Sequence, residues 1–153
     1  MLDGAKVGIN VTPPFPPLLF KKQQVLSAQV LALFSTPVIL VPAQSDKAII
    51  LEQVHIHKPA GTAYANGTNL VIRNTGSAAT QFSLSVTGFL DQTAKKTGFG
   101  AIPTNASWNF DVNTMTGVGL EIAVTGANPI TGNSDLFVAI TYRIWDNGPN
   151  PWF

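Results

Sequence analysis

Apolar and polar residues alternate along much of this chain, and the alternation predicts strands. In 135–145, Phe137, Ala139, Thr141 and Arg143 interleave with Val138, Ile140, Tyr142 and Ile144, so the second set is expected to face a core. In 80–87, Phe82, Leu84 and Val86 share one face, while Gln81, Ser83, Ser85 and Thr87 share the other. Similar segments rich in Val, Ile, Thr and Phe predict strands at 25–34, 37–41, 47–57, 68–74, 106–112 and 117–125. Residues 25–34, VLSAQVLALF, also contain good helix formers, but Pro37 stops any continuation and the β-rich context favours a strand. Asn66-Gly67, Thr75-Gly76, Gly126-Ala127-Asn128 and Thr131-Gly132-Asn133 supply residues that tolerate the positive φ of tight turns. Short strands punctuated this way are the pattern of an all-β, antiparallel β-sandwich.

The ends differ from this body. Pro13, Pro14, Pro16 and Pro17 surround Phe15, which fixes the backbone near polyproline II and removes ladder donors. Leu18, Leu19 and Phe20 follow, and Pro149 and Pro151 interrupt the last residues before Trp152 and Phe153. The expected organisation is an extended proline-rich arm at 1–24, a sandwich at 25–146 and a short tail at 147–153. Pro13, Pro14, Phe15, Pro16, Pro17, Leu18, Leu19, Phe20, Trp152 and Phe153 are the expected contact residues, either to a sister subunit or to a larger supporting surface. Such an arm could instead fold back over its own sandwich.

Composition narrows the function. Only 11% of the 153 residues are charged, against about 25% in a typical globular protein, and the formal net charge is +1. Ser, Thr, Asn and Gln occupy 41 positions instead, giving a neutral polar surface that repels neighbours weakly. The absence of cysteine removes disulfides, thiolate metal sites and thiol nucleophiles, and points to assembly in a reducing compartment such as a cytoplasm. No apolar run reaches the 18 or so residues of a membrane span, and scattered basic residues give no stripe for phosphates, so neither membrane nor nucleic acid is an expected partner.

Candidate chemistry is sparse. His55 and His57 lie two apart in VHIH and would share a strand face, a spacing able to hold a metal. The carboxylate expected soon after such a pair is missing, since Lys58, Pro59, Ala60 and Gly61 follow, and there is no third histidine. The reading is therefore no metal and no cofactor. The eight carboxylates show no acid/base spacing, and nucleophile elbow, P-loop and dinucleotide motifs are lacking, so no enzyme is expected. Tyr64, in the loop GTAYANG, is a possible ligand residue because sugar faces stack on flat rings, and Asp91 could accompany it.

Residues 35–73 carry a resemblance. Ser35-Thr36-Pro37 precedes Leu40-Val41-Pro42-Ala43, and an aliphatic strand then leads to Lys58 and Gly61-Thr62-Ala63-Tyr64. Gly67 and Asn69-Leu70-Val71-Ile72-Arg73 come next, and Thr141-Tyr142-Arg143 stands in the last strand. This pattern of strand and turn residues resembles a group of small structural proteins of tailed bacteriophages. The resemblance implies a jelly-roll-like sandwich that decorates or cements the outer surface of the virion capsid, assembled in the host cytoplasm. Its implied partners are the major capsid protein and itself, as a homo-oligomer, a trimer in preference to a dimer. The alternative is a receptor- or carbohydrate-binding module of a phage fibre or tail.

Overall fold

The structure, a computed structural model, describes residues 15–101 and 115–146. Among them are eight strands: β1 (Leu19–Val25), β2 (Val38–Val41), β3 (Lys47–Lys58), β4 (Asn69–Asn74), β5 (Thr80–Ser85), β6 (Lys96–Ala101), β7 (Leu120–Val124) and β8 (Leu136–Asp146). They form two four-stranded sheets, in the orders β1-β8-β3-β6 and β2-β7-β4-β5, with every pairing antiparallel. First pairs with last, second with seventh, third with sixth and fourth with fifth, which is the jelly-roll winding of an antiparallel sandwich.

The inward faces supply the core. From the first sheet come Ile49, Leu51, Val54, Ile56, Val138 and Ile140; from the second come Leu70, Ile72, Leu120, Ile122 and Val124, all buried in one cluster. The alternation in β8 thus places Val138 and Ile140 inside as expected, with Tyr142 and Ile144 packed against the cluster. In β3 the period breaks between Leu51 and Gln53, where a bulge adds one residue against β8, so Leu51 and Val54 both point inward although three apart.

Three elements differ from the sequence expectation. Residues 25–34 are not a strand: β1 ends at Val25, and a one-turn helix α1 (Ser27–Val30) continues into turns, with Val30 and Leu33 buried at a spacing of three. The Asp135 carboxylate accepts the Ser27 N–H at 2.7 Å, and the Gln29 side chain accepts that of Leu26 at 2.9 Å, satisfying donors this turn leaves free. Residues 19–24, expected in the arm, are an edge strand paired with β8 from Leu19↔Tyr142 to Val25↔Leu136. Strand β6 was not foreseen. The strand expected at 106–112, together with Pro13, Pro14, Trp152 and Phe153, lies outside the described residues.

Two glycines explain β6. A Cβ on Gly98 would come within 2.6 Å of Leu84, and one on Gly100 within 2.7 Å of the Phe82 ring. Both sit at inward positions where β6 lies close on β5 of the opposite sheet, so only hydrogen fits. Beyond β6, the edge of β3 would leave backbone groups open. Gln81 closes it: its amide accepts from Leu51 N–H at 2.8 Å and donates to Ile49 O at 3.1 Å and to Asn74 Oδ1 at 2.6 Å. Gln81 is therefore buried and ties the two sheets together, whereas Ser83 and Ser85, which the alternation puts on the same face, are exposed.

Candidate functional site

The register of the first sheet sets its outward side chains in three rows of four. One row reads Phe20, Thr141, Gln53, Ala101; the next Lys22, Ala139, His55, Phe99; the third Gln24, Phe137, His57, Thr97. Phe99 is 80% exposed, Phe20 60% and Phe137 44%, an unusual concentration of bare aromatic surface for one sheet face. Small residues separate them. Ala139 lies between Lys22 and His55, leaving a shallow groove on either side: one bounded by Phe20, Phe99 and Thr141, the other by Phe137, His57 and Gln24.

Polar groups on this face are few. Lys22 Nζ lies 5.6 Å from the Phe20 ring centroid, a cation–π contact. His57 Nδ1 is 3.0 Å from Thr97 Oγ1, and its ring is 6.5 Å from that of Phe137. None of the twelve positions is a carboxylate. Carboxylates at its margin are engaged: Glu52 at the bulge is held by Arg143 Nε at 3.0 Å, with Arg143 also donating to the Pro16 carbonyl, and Asp135 accepts from the Gln24 amide at 2.7 Å. The Thr141 hydroxyl is buried with no hydrogen-bond partner. His55 and His57 do share the outer face, as their spacing predicts, but among the described residues no group of three His, Asp or Glu could hold a metal.

The described part of the arm touches this same face. Phe15 meets Trp145 edge-on at 6.2 Å, and Pro16 receives Arg143, while Phe15 and Leu18 remain largely exposed. Residues 15–18 thus run over the end of their own first sheet and extend its apolar surface.

Tyr64 is not a ligand residue. It is 1% exposed, its ring lies against Gly132, where a Cβ would clash at 2.1 Å, and its hydroxyl donates to Ser134 O at 2.5 Å. Burial, first, and the nearby Asp135 push its phenol up to about 12. Asp91 closes the 88–92 turn. Its carboxylate accepts from the Gln92 amide at 2.8 Å and the Gly88 N–H at 2.6 Å, and the Gln92 bond in particular holds it below the usual carboxylate range.

The same corner contains Lys58, fully buried at the end of β3. Its ammonium donates to Gln92 O at 2.7 Å and Pro59 O at 3.2 Å, and burial pulls it below the usual lysine range. Gly61 fits against Ser134 and Asn133, leaving no space for a side chain. The run from Lys58 to Tyr64 is therefore a structural corner that ties the end of β3 to the 88–92 turn and to the 131–135 loop.

Sequence reasoning missed the aromatic face because two of its strands, β1 and β6, were not recognised. The exposed position of Phe99 between two glycines was the available signal. Compared with protein-family models, with curated proteins and with solved structures, the chain gives no match.

Proposed function

We propose that this chain is a phage capsid decoration, or cement, protein: a jelly-roll body that binds the outer surface of the head and stabilises contacts between major capsid protein subunits. The observation that carries the reading is the outer face of the first sheet, where three phenylalanines stand in water on a four-stranded antiparallel sheet. A face of this kind is stabilised by covering it, at roughly 25 cal/mol for each Å² of apolar surface removed from water. The resemblance at residues 35–73 supports the phage context, and its residues now have physical roles. Val38–Val41 is an edge strand, Lys58 to Tyr64 the buried corner, and Asn69–Asn74 a central strand.

The glycan-binding alternative lacks the stacking ring it was drawn from, because Tyr64 is buried. A homo-oligomer, a trimer in preference to a dimer, belongs to the same proposal, with Leu18, Leu19, Phe20 and the residues on either side of the described segment adding contacts.

The test is co-sedimentation with heads assembled from major capsid protein and lacking decoration. Saturable binding in a fixed ratio, with the loaded heads resisting heat or chelator better than bare ones, is the expected result. Heads that sediment without the protein at saturating concentrations would overturn the reading.

A further inference from the structure

We infer that the outer face of the first sheet docks a protein surface that is both apolar and acidic, one presenting aspartate or glutamate side chains among aliphatic or aromatic ones. The inference rests on the proposed function only for the identity of that partner as a capsid subunit.

Shape and charge together select this chemistry. Phe20, Phe99 and Phe137 offer apolar walls around a low floor at Ala139, deep enough for a protruding side chain on each side. Lys22 stands in the middle row beside that floor, with His55 one strand away and His57 in the next row. None of the twelve positions supplies a carboxylate to Lys22, and the carboxylates at the margin are engaged, Glu52 with Arg143 and Asp135 with the Gln24 amide and the Ser27 N–H. An apolar contact that covered Lys22 without a counter-charge would desolvate a cation for nothing, at a cost that apolar burial does not recover. A partner carboxylate near Lys22 removes that cost and fixes the register of docking.

Charge also argues against a second copy of this chain as the occupant. Two such faces stacked with β1 on β1 would bring the two Lys22 ammoniums together with no carboxylate among the twelve positions between them.

Two arms test the inference. In the first, the blocked peptide Asp-Leu-Phe-Asp-Leu-Asp and its counterpart with lysine at each aspartate are titrated into the isotopically labelled full chain. Amide shifts at Lys22, His55, Phe99 and Ala139 with the acidic peptide alone, weakened by salt and absent in Lys22→Glu, are expected. Equal shifts with both peptides, or shifts confined to other surfaces, would overturn the inference.

In the second, wild type, Lys22→Glu, Phe99→Ser and a control, Ile39→Ser on the opposite sheet, are co-sedimented with heads. The first two variants should each lose at least about tenfold in affinity, as expected for a central charge or aromatic contact, and the control should not. Unchanged melting curves will show that the variants remain folded. If all variants bind heads like wild type, the docking face is wrong while the decoration reading stands. If heads are ignored but the acidic peptide binds this face, the decoration reading fails and the inference stands. A dimer seen by light scattering that disappears in Phe99→Ser would mean a second copy covers the face, and would overturn it.

Discussion

The two sheets turn very different outer faces to their surroundings, although each is built on a central strand with an outward alanine. On the first sheet Ala139 lies between Lys22 and His55, half-buried in a field of exposed phenylalanines. On the second, Ala123 is paired with Val71, and both are buried, outside the main core cluster but shielded from water. Their ion pairs differ in the same sense. Arg73 Nε meets Glu121 at 2.8 Å with the glutamate nearly buried, whereas Arg143 and Glu52, at 3.0 Å, are each about one-third exposed. The central strands of one outer face are thus finished within the chain, with Arg73 and Glu121 paired and Ala123 and Val71 covered, and only its edge strand β2 shows an exposed apolar side chain, Ile39, among the described residues. The other face is left open, with apolar rings and, in Lys22, an ammonium that has no ion-pair partner among the described residues.

That contrast can be broken by matched substitutions. The largest effect is expected from Ala123→Asp, which buries a carboxylate with no partner and should cost about 3 kcal/mol or more of stability. Ala139→Asp, beside Lys22, should stay within about 1 kcal/mol. Equal losses in denaturant unfolding would show that the two faces are equivalently covered.

Next come the ion pairs. Glu121→Gln leaves Arg73 without its counter-charge and should cost about 2 kcal/mol, less than for a fully buried pair because Arg73 is partly solvated. Glu52→Gln should cost about 0–1 kcal/mol. A reversal of that order in chemical denaturation would place the protected face on the wrong sheet.

A smaller, pH-confined effect concerns neither face but the corner that braces them. Tyr64 has its phenol raised to about 12, above its unfolded value near 10, so the fold favours the neutral form. Its contribution is fully present below pH 10 and is lost as pH rises from about 10 to 12, a decline on the order of 2 kcal/mol. Tyr64→Phe should flatten that segment of the stability–pH curve. A variant whose alkaline curve matches wild type would remove Tyr64 as its cause.

The body of the fold was legible where side chains alternate cleanly. Strands β3, β5, β7 and β8 were read near their observed bounds because apolar residues alternate with polar ones over much of their length, and β2 and β4 because short apolar runs sit between turn residues. Asn66, Gly67, Gly76 and Gly126 have the positive φ that their turns imply, while in the 131–133 turn it is Thr131, not Gly132, that adopts it. Strand β1 was hidden because Lys21-Lys22-Gln23-Gln24 is polar on both sides, as an edge strand can be. Strand β6 was hidden because Gly98 and Gly100 read as breakers, although each answers a close approach from the facing sheet. α1 was misread because it is a single turn stabilised by Asp135, more than a hundred residues away in sequence. The aromatic face went unread for the same reason, since a row such as Lys22, Ala139, His55 and Phe99 exists only once four distant segments are in register.

The glycines beside Phe99 have one more effect. An edge strand can often hide an awkward side chain by sliding one residue along its neighbour, which exchanges inside for outside. Here that escape is blocked, because a slide of β6 would drive the Phe99 ring into space already too tight for a methyl group against Leu84 or Phe82. The free protein therefore has no retracted form of this strand in which to wait. Its ring is on display from the moment the sheet closes, and it leaves the water only when something is laid over it.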